Sequence, residues 1–94
     1  MAIAAEKADK FAMTANYVYV LGCADGPAWR TYVGWTTDLE RRLVQHNNGT
    51  GAKSTRGRHW VCLYAERYPT SNEAMSREWH LKRDRRFRNA LKNA

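Results

Sequence analysis

The apolar residues of this chain fall into three short runs and two longer segments with helical spacing. The runs 16–23 (NYVYVLGC) and 31–35 (TYVGW) are rich in aromatic and β-branched residues and predict strands. The intervening Asp25-Gly26-Pro27 is a turn signal, so the two should form an antiparallel hairpin. Residues 59–66 (HWVCLYAE) predict a third strand. Gly34 adds no packing to its strand, which indicates a bulge or a close backbone approach.

Two segments space their apolar residues as amphipathic helices do. The first begins at Thr37, which forms a capping box with Glu40 three residues later, and it ends at Asn47-Asn48-Gly49. The second segment, residues 70–82 (TSNEAMSREWHLK), opens on another capping box. The basic stretch after Lys82 predicts a separate short helix.

These elements predict one α+β domain, a small three-stranded antiparallel sheet flanked by helices. We expect residues 16–94 to form this domain and residues 1–15 to be an N-terminal extension or tail. No apolar run approaches the roughly 18 residues of a membrane span, and the first residues lack the apolar core of a secretory signal. A cytoplasmic protein with Cys23 and Cys62 reduced is therefore expected.

The charge of the chain is strongly basic, with 16 Lys and Arg residues against nine acids and a formal net charge of +7. Residues 82–92 carry six basic side chains and one acid, with arginine prevailing over lysine. Arginine suits the bidentate recognition of phosphate. This net positive charge favours nucleic acid as the partner, and an anionic membrane surface is the rarer case. Alternatively, the charge only keeps the protein soluble.

One acidic residue stands on what should be the buried face of the second helix. At about 100° per residue, Ala74, Met75 and Leu81 share one stripe, and Glu78 lies within it, about 40° from Ala74. A buried carboxylate costs several kcal/mol unless a cation offsets it. The candidates are an arginine and a metal ion.

The first helix separates its two neighbouring arginines. Leu39 and Leu43 define the core side, and Arg41 faces water. Arg42 and His46, four residues apart, lie at the border of the apolar stripe. A border arginine is usually a surface residue that extends its charge into water, and the alternative is an anion site with His46 beside Arg42.

Tyrosines on the paired strands complete the candidate chemistry. Tyr17 and Tyr19 share a face by the two-residue period, and Tyr32 lies on the partner strand. Such tyrosines are usually packing residues with a hydrated hydroxyl. Together with Arg42 and Glu78, however, they supply a hydroxyl for proton transfer, a cation for phosphate charge and a carboxylate for a divalent metal. This inventory fits phosphodiester hydrolysis, and no zinc-ligand spacing is present among the histidines and cysteines.

The order of these residues resembles the GIY-YIG nuclease superfamily, and within it the small stand-alone bacterial members. The resemblance covers about residues 16–83. It rests on an ordered set of short motifs: Tyr17-Val18-Tyr19, Tyr32-Val33-Gly34, Asp38-Leu39-Glu40-Arg41-Arg42, His46, the loop from Gly51 to Arg56, Glu73-Ala74, Glu78 and Lys82. The first triplet begins with tyrosine where the family name has glycine.

The resemblance implies a catalytic role for five residues. Glu78 matches the single metal-binding glutamate and would hold one Mg²⁺ or Mn²⁺ ion. Arg42 matches the catalytic arginine, and His46 the residue that assists it one turn on. A tyrosine, Tyr19 or Tyr32, would take the proton of the attacking water. Because a free tyrosine has a pKa of about 10, Arg42 or the metal would have to lower it.

DNA is the implied partner, and no obligate protein partner is expected. Thr36, Lys53 and Thr55 match positions that line the site or contact DNA in similar proteins. Basic residues of the loop and of the C-terminal segment complete the predicted nucleic-acid-binding set: Arg56, Arg58, Lys82, Arg83, Arg85 and Arg86. A domain this small covers little duplex, and its four tryptophans offer stacking surfaces, which favours single-stranded or branched DNA.

Two other interpretations stay open at this point. The chain could be a nucleic-acid-binding module that has the fold without turnover; its binding would then depend steeply on salt. Alternatively, Glu78 could be the buried structural partner of an arginine such as Arg42. The basic segment would in that case bind an acidic protein or the ribosome.

Overall fold

The computed structural model describes residues 15–92, which form a three-stranded antiparallel sheet and three α-helices. The predicted α+β class and sheet are therefore confirmed. The elements are β1 (Asn16–Asp25), β2 (Ala28–Thr36), α1 (Leu39–Asn48), a 3₁₀ turn (Lys53–Thr55), β3 (Val61–Tyr68), α2 (Ser71–Arg83) and α3 (Arg85–Leu91). The strand order is β2-β1-β3. Apart from Ala15, the predicted N-terminal extension lies outside the described residues.

Side chains at two helix starts and one strand start explain where these elements begin. Thr70 caps α2 as predicted and accepts a hydrogen bond from the backbone N–H of Glu73. In α1 the cap is Asp38 rather than Thr37, because the Asp38 carboxylate accepts from the backbone N–H of Arg41 at 3.1 Å. β3 begins two residues later than predicted. The side chain of Asn47 bonds to both the N–H and the C=O of Trp60, at 2.6 and 3.0 Å, in place of a strand partner.

Both faces of the sheet are covered, so the central strand β1 is buried on each side. On the face covered by α1, the core contains Tyr19, Leu21, Leu39, Trp60 and Ala65, together with Cys23. On the face covered by α2 and α3, it contains Val18, Val20, Val33, Ala74 and Leu81. Alternation along β1 sends neighbouring residues to opposite faces. Cys23 and Cys62 are free thiols. None of the helices within residues 15–92 is long and apolar enough to cross a membrane.

Helix α2 packs on the sheet through a narrower stripe than its sequence predicts. Only Ala74 and Leu81 are buried, and Met75 is 42% exposed. The side chain of Glu78 is 21% exposed and lies 3.7 Å from the Lys82 ammonium. The expectation of a fully buried carboxylate is therefore wrong. The helix turns its Arg77 side, rather than its Met75 side, towards the sheet.

Among residues 15–92 the buried acid is Glu66 on β3, which is 4% exposed. Arg77 donates two hydrogen bonds to its carboxylate, at 2.8 and 3.1 Å, and the hydroxyls of Tyr64 and Tyr68 donate to it as well. Burial raises the pKa of Glu66, but these bonds outweigh it and hold the pKa below its usual value. The structural ion pair between helix and sheet is thus Glu66–Arg77, and Glu78–Arg42 is not that pair.

Replacing Arg77 with Met should destabilise the fold by about 3 kcal/mol. The substitution leaves the buried Glu66 carboxylate without its cation, and breaking such a pair costs about 3–5 kcal/mol. The lower value is expected because Arg77 is itself 32% exposed. Urea unfolding measures the change, with Arg86→Met on the exposed surface of α3 as the matched control. A loss below about 1 kcal/mol would show that the pair does not hold α2 on the sheet.

Candidate active site

Tyr19 occupies the centre of the sheet, where β1 pairs with Gly34 of β2 and with Ala65 of β3. Its side chain is 1% exposed. A Cβ atom at Gly34 would lie 2.5 Å from the Tyr19 hydroxyl, closer than such atoms approach in proteins, so this position requires glycine. The predicted close approach at Gly34 is confirmed. The irregularity of the sheet lies elsewhere, between Val20 and Leu21.

A chain of hydrogen bonds runs from the sheet into the loop after α1. The Tyr19 hydroxyl lies 2.8 Å from His46 Nε2, and His46 Nδ1 lies 2.8 Å from the Thr55 hydroxyl. Thr55 donates its only hydrogen to the Ala52 carbonyl, at 2.8 Å. Thr55 must therefore accept from His46 Nδ1–H, and Nε2 accepts the Tyr19 proton. The network assigns His46 as the neutral Nδ1–H tautomer.

His46 is fully buried, whereas its position on the helix predicts a border residue. The loop that follows α1 covers it. A Cβ atom at Gly51 would lie 2.8 Å from His46 Nδ1, so the loop backbone passes directly over the ring. Thr55 is also 0% exposed, and it lines the site from the other side of the ring. The predicted contact of Thr55 with nucleic acid is therefore not supported; its role is to hold His46.

Burial makes both members of the Tyr19–His46 pair resist ionisation. Burial, together with the positive charge of Arg42, lowers the pKa of His46 to about 4. Burial raises the pKa of Tyr19 to about 12, although a hydrogen bond from Arg42 acts in the opposite direction. Arg42 alone therefore does not bring the pKa of Tyr19 below its ordinary value. At neutral pH both side chains are uncharged.

Acid should destabilise the protein through His46. The unfolded chain takes up a proton there below about pH 6.5, but the folded protein does so only near the folded pKa of about 4. Stability therefore falls as the pH drops through this window, by about 2 kcal/mol at pH 5. Urea unfolding at pH 7.5 and pH 5 measures it. The loss of stability between pH 7.5 and pH 5 should be smaller by that amount in His46→Gln and should persist in the exposed control His59→Gln. Equal losses in all three proteins would refute the assignment to His46.

Arg42, Tyr32 and Glu78 surround this buried pair. The Arg42 guanidinium donates to Gln45 Oε1 at 3.1 Å and to the Tyr19 hydroxyl. The Tyr32 ring lies 4.9 Å from the His46 ring and 6.4 Å from the Tyr19 ring, and it is only partly buried. The Glu78 carboxylate lies near enough to act on the pKa of Tyr19. The predicted catalytic residues on β1, β2 and α1 therefore come together, with Glu78 of α2 in electrostatic range of Tyr19.

An open groove of about 310 Å³ leads away from Arg42 along the start of α1. It is lined by Trp35, Thr36, Thr37, Asp38, Arg41, Arg42 and Gln45. Arg41 is exposed at its outer edge, as predicted. The groove places two guanidinium groups and the end of β2 beside the candidate site.

The other predicted binding residues are spread over the surface. Arg58 is bound to Asp25 at 3.1 Å and belongs to the hairpin end of the molecule, away from Arg42. Lys82 pairs with Glu78, and Arg83 covers the ring of Trp79. The remaining basic residues are exposed, on the loop or on α3: Lys53, Arg56, Arg85 and Arg86.

Gln45 and Gly51 are site residues that the sequence did not reveal. Gln45 lies three residues after Arg42, so the two side chains share a helix surface. This spacing is the feature of the sequence that could have identified Gln45 as a site residue. Nothing in the local sequence distinguishes Gly51 from the other glycines of its loop.

The Glu78 carboxylate fits a hard divalent cation. It is partly exposed, so a hydrated ion can reach it, and its neighbour Lys82 is a flexible surface ammonium that an ion can displace. Within residues 15–92 no three His, Cys, Asp or Glu side chains form a cluster that could enclose a metal. A single carboxylate with water as the other ligands is typical of Mg²⁺.

Known sequences match this chain over most of its length. The GIY-YIG catalytic domain family matches residues 15–92. A UPF0213 protein of Clostridium perfringens is 51% identical over 69 residues, which are 72% of this chain and 71% of that protein. A UPF0213 protein of Halobacterium salinarum is 47% identical over 68 residues, 71% of this chain and 84% of that protein.

A solved structure is similar as well. It is the solution NMR structure of a UPF0213 protein from Bacillus halodurans, which is 41% identical in sequence. The match covers 84% of this chain and 83% of that one, with a TM-score of 0.47.

Proposed function

The chain belongs to the GIY-YIG catalytic domain family of the nuclease superfamily, and we propose that it is a divalent-metal-dependent DNA endonuclease. The observation that supports this most is the convergence of Arg42, Tyr32 and Glu78 around the uncharged Tyr19–His46 pair. A cation, a partly exposed hydroxyl and a reachable carboxylate are the groups that phosphodiester hydrolysis requires.

Arg42 is the group that binds the scissile phosphate. Its guanidinium is positioned by Gln45 and by the Tyr19 hydroxyl, so it is held in place before substrate arrives. A fixed donor aimed at developing negative charge stabilises the transition state without reorganisation. Glu78 would hold Mg²⁺, which when bound polarises a phosphate oxygen and stabilises the departing 3′ oxygen.

Tyr32 is better placed than Tyr19 to accept the proton of the attacking water. The Tyr19 hydroxyl is buried, donates to His46 and has a pKa of about 12, so it neither meets water nor ionises readily. Tyr32 is partly exposed beside the same histidine. We assign proton transfer to Tyr32, which would first release its own hydroxyl proton to solvent and then, as the phenolate, take the proton of the attacking water. To the chain Tyr19–His46–Thr55 we assign the task of fixing Arg42 and the Tyr32 ring.

Single-stranded or branched DNA is the proposed substrate. The described domain is small, with a radius of gyration of 13.1 Å, and it encloses no duplex. Trp79 is 54% exposed on α2 with Arg83 over its ring, while Trp60 belongs to the core. Exposed aromatic rings beside arginines suit unpaired bases.

A panel of labelled substrates tests the function. The protein is incubated with single-stranded, flapped and duplex DNA of one sequence, each with Mg²⁺, Mn²⁺ or EDTA. We expect metal-dependent cleavage, fastest on the single-stranded and flapped forms. Binding of all three without cleavage in any metal would contradict the nuclease and favour a non-catalytic binding module.

A further inference from the structure

The two sides of α2 have different surroundings, and the side next to Glu78 points into solvent. Arg77 and Glu78 flank the buried stripe of Ala74 and Leu81, at about 60° and 40° from Ala74. Arg77 faces Glu66 on β3, while Glu78 lies on the other side of the stripe, within electrostatic range of Tyr19. Around the helix beyond Glu78 the next side chains are exposed, so a strand bound at the candidate site would pass over them.

Trp79 is the most exposed tryptophan of residues 15–92 and belongs to this surface. Its neighbours there are Lys82 and the 42% exposed Met75. The Arg83 guanidinium lies over the ring, 3.7 Å from its centroid, and donates to the Trp79 carbonyl at 2.9 Å. One face of the ring is thus occupied by a cation that is anchored to the same helix. The His80 ring lies 5.1 Å from the Trp79 ring at an interplanar angle of 71°, and Trp79 is still 54% exposed, so part of the residue stays open to a partner.

We propose that Trp79, backed by Arg83, is a stacking site for an unpaired nucleobase of the DNA strand whose phosphate is bound at Arg42, beside Glu78. The inference rests on the proposed function and names the feature of the substrate that this protein recognises. Bases stack on an aromatic ring only where both partners offer a free face, and the bases of an intact duplex cover one another. The position next to Glu78 places this base within a few nucleotides of the cleaved bond.

The positive charge around Trp79 suits a nucleotide strand better than an apolar protein segment. Arg83, Arg85 and Arg86 are all exposed on the adjoining end of α2 and the start of α3. A DNA strand whose base stacks on Trp79 brings its phosphates towards these side chains. Arginines attract the phosphate backbone of DNA whatever its base sequence. The contact should therefore favour unpaired bases with little preference among them.

Binding of a single-stranded oligonucleotide in EDTA tests the inference without cleavage. Trp79→Ala should weaken binding about 10- to 100-fold, the effect of losing one base-stacking contact, and Trp79→Phe should retain most of the affinity. Trp29→Ala, at the exposed hairpin, is the matched control and should bind like wild type. Thermal unfolding of each variant reports whether its fold is intact, and Trp79→Phe keeps the test valid if Trp79→Ala unfolds.

An abasic scan locates the stacked base. With wild type, one abasic nucleotide near the cleaved bond should weaken binding as much as Trp79→Ala does, and with Trp79→Ala the same nucleotide should have no further effect. The inference would be overturned if Trp79→Ala lost equal affinity for single-stranded and duplex DNA, or if it bound single-stranded DNA as tightly as wild type. Trp79-dependent binding without cleavage would refute only the nuclease; cleavage with Trp79-independent binding would refute only the stacking site.

Discussion

Glu78→Gln should lower the rate of DNA cleavage by about 10³-fold or more while the protein still folds and binds DNA. Glutamine keeps the size of the side chain and its contacts on α2 but removes the negative charge that would hold the metal. A divalent ion contributes several kcal/mol to the stabilisation of a phosphoryl transition state, and about 4 kcal/mol corresponds to a factor of 10³. Single-turnover cleavage at saturating Mg²⁺ measures the loss.

The matched control for this substitution is Glu73→Gln. Glu73 is an exposed carboxylate in the first turn of the same helix, so its loss changes the net charge equally without touching the site. We expect its cleavage rate to stay within about twofold of wild type, as for surface changes away from special features. Cleavage by Glu78→Gln at the wild-type rate would remove Glu78 from the mechanism.

Arg42→Lys should slow cleavage by about 10²- to 10³-fold. Lysine keeps the positive charge but loses the planar pair of donors that Gln45 and the Tyr19 hydroxyl hold in position. Removing one fixed donor at a developing oxyanion has an effect of this size. The effect should appear in the single-turnover rate much more than in the affinity for DNA.

Arg41→Lys supplies the control at the neighbouring position. Arg41 is exposed and directly precedes Arg42 on α1, but it has no part in the Tyr19–His46 network. Its replacement should leave the cleavage rate nearly unchanged. Equal rate losses in both variants would mean that the arginines act only through general charge, and that the assignment of Arg42 is wrong.

The strands, the helices and the gathering of the site residues on β1, β2 and α1 could be predicted from the sequence because each depends on local pattern or motif order. The hairpin, the Thr70 cap and the close approach at Gly34 follow from residue types at fixed spacing. Burial on α2 could not be predicted in the same way. Periodicity identifies a stripe of apolar positions, but only the packed sheet decides that Arg77, rather than Met75, lies beside it.

The states of the buried polar groups also depend on distant partners. Glu66 lies near the end of β3 and is buried because Arg77, Tyr64 and Tyr68 meet its carboxylate. His46 is buried because the loop closes over it, which a helical projection cannot show. The pKa of Tyr19 rises for the same reason, since desolvation outweighs the hydrogen bond from Arg42. Sequence patterns thus identify the groups of the site, and tertiary packing sets their charge.

Single-turnover cleavage of a labelled single-stranded oligonucleotide by the wild-type protein, started by adding Mg²⁺ to a complex preformed in EDTA, tests the nuclease assignment most directly. The bound fraction is measured first, so cleavage is compared with a known amount of complex. The account predicts no cleavage before Mg²⁺ is added and cleavage of the bound strand afterwards. A strand that is fully bound and stays intact in Mg²⁺ and in Mn²⁺ would contradict it.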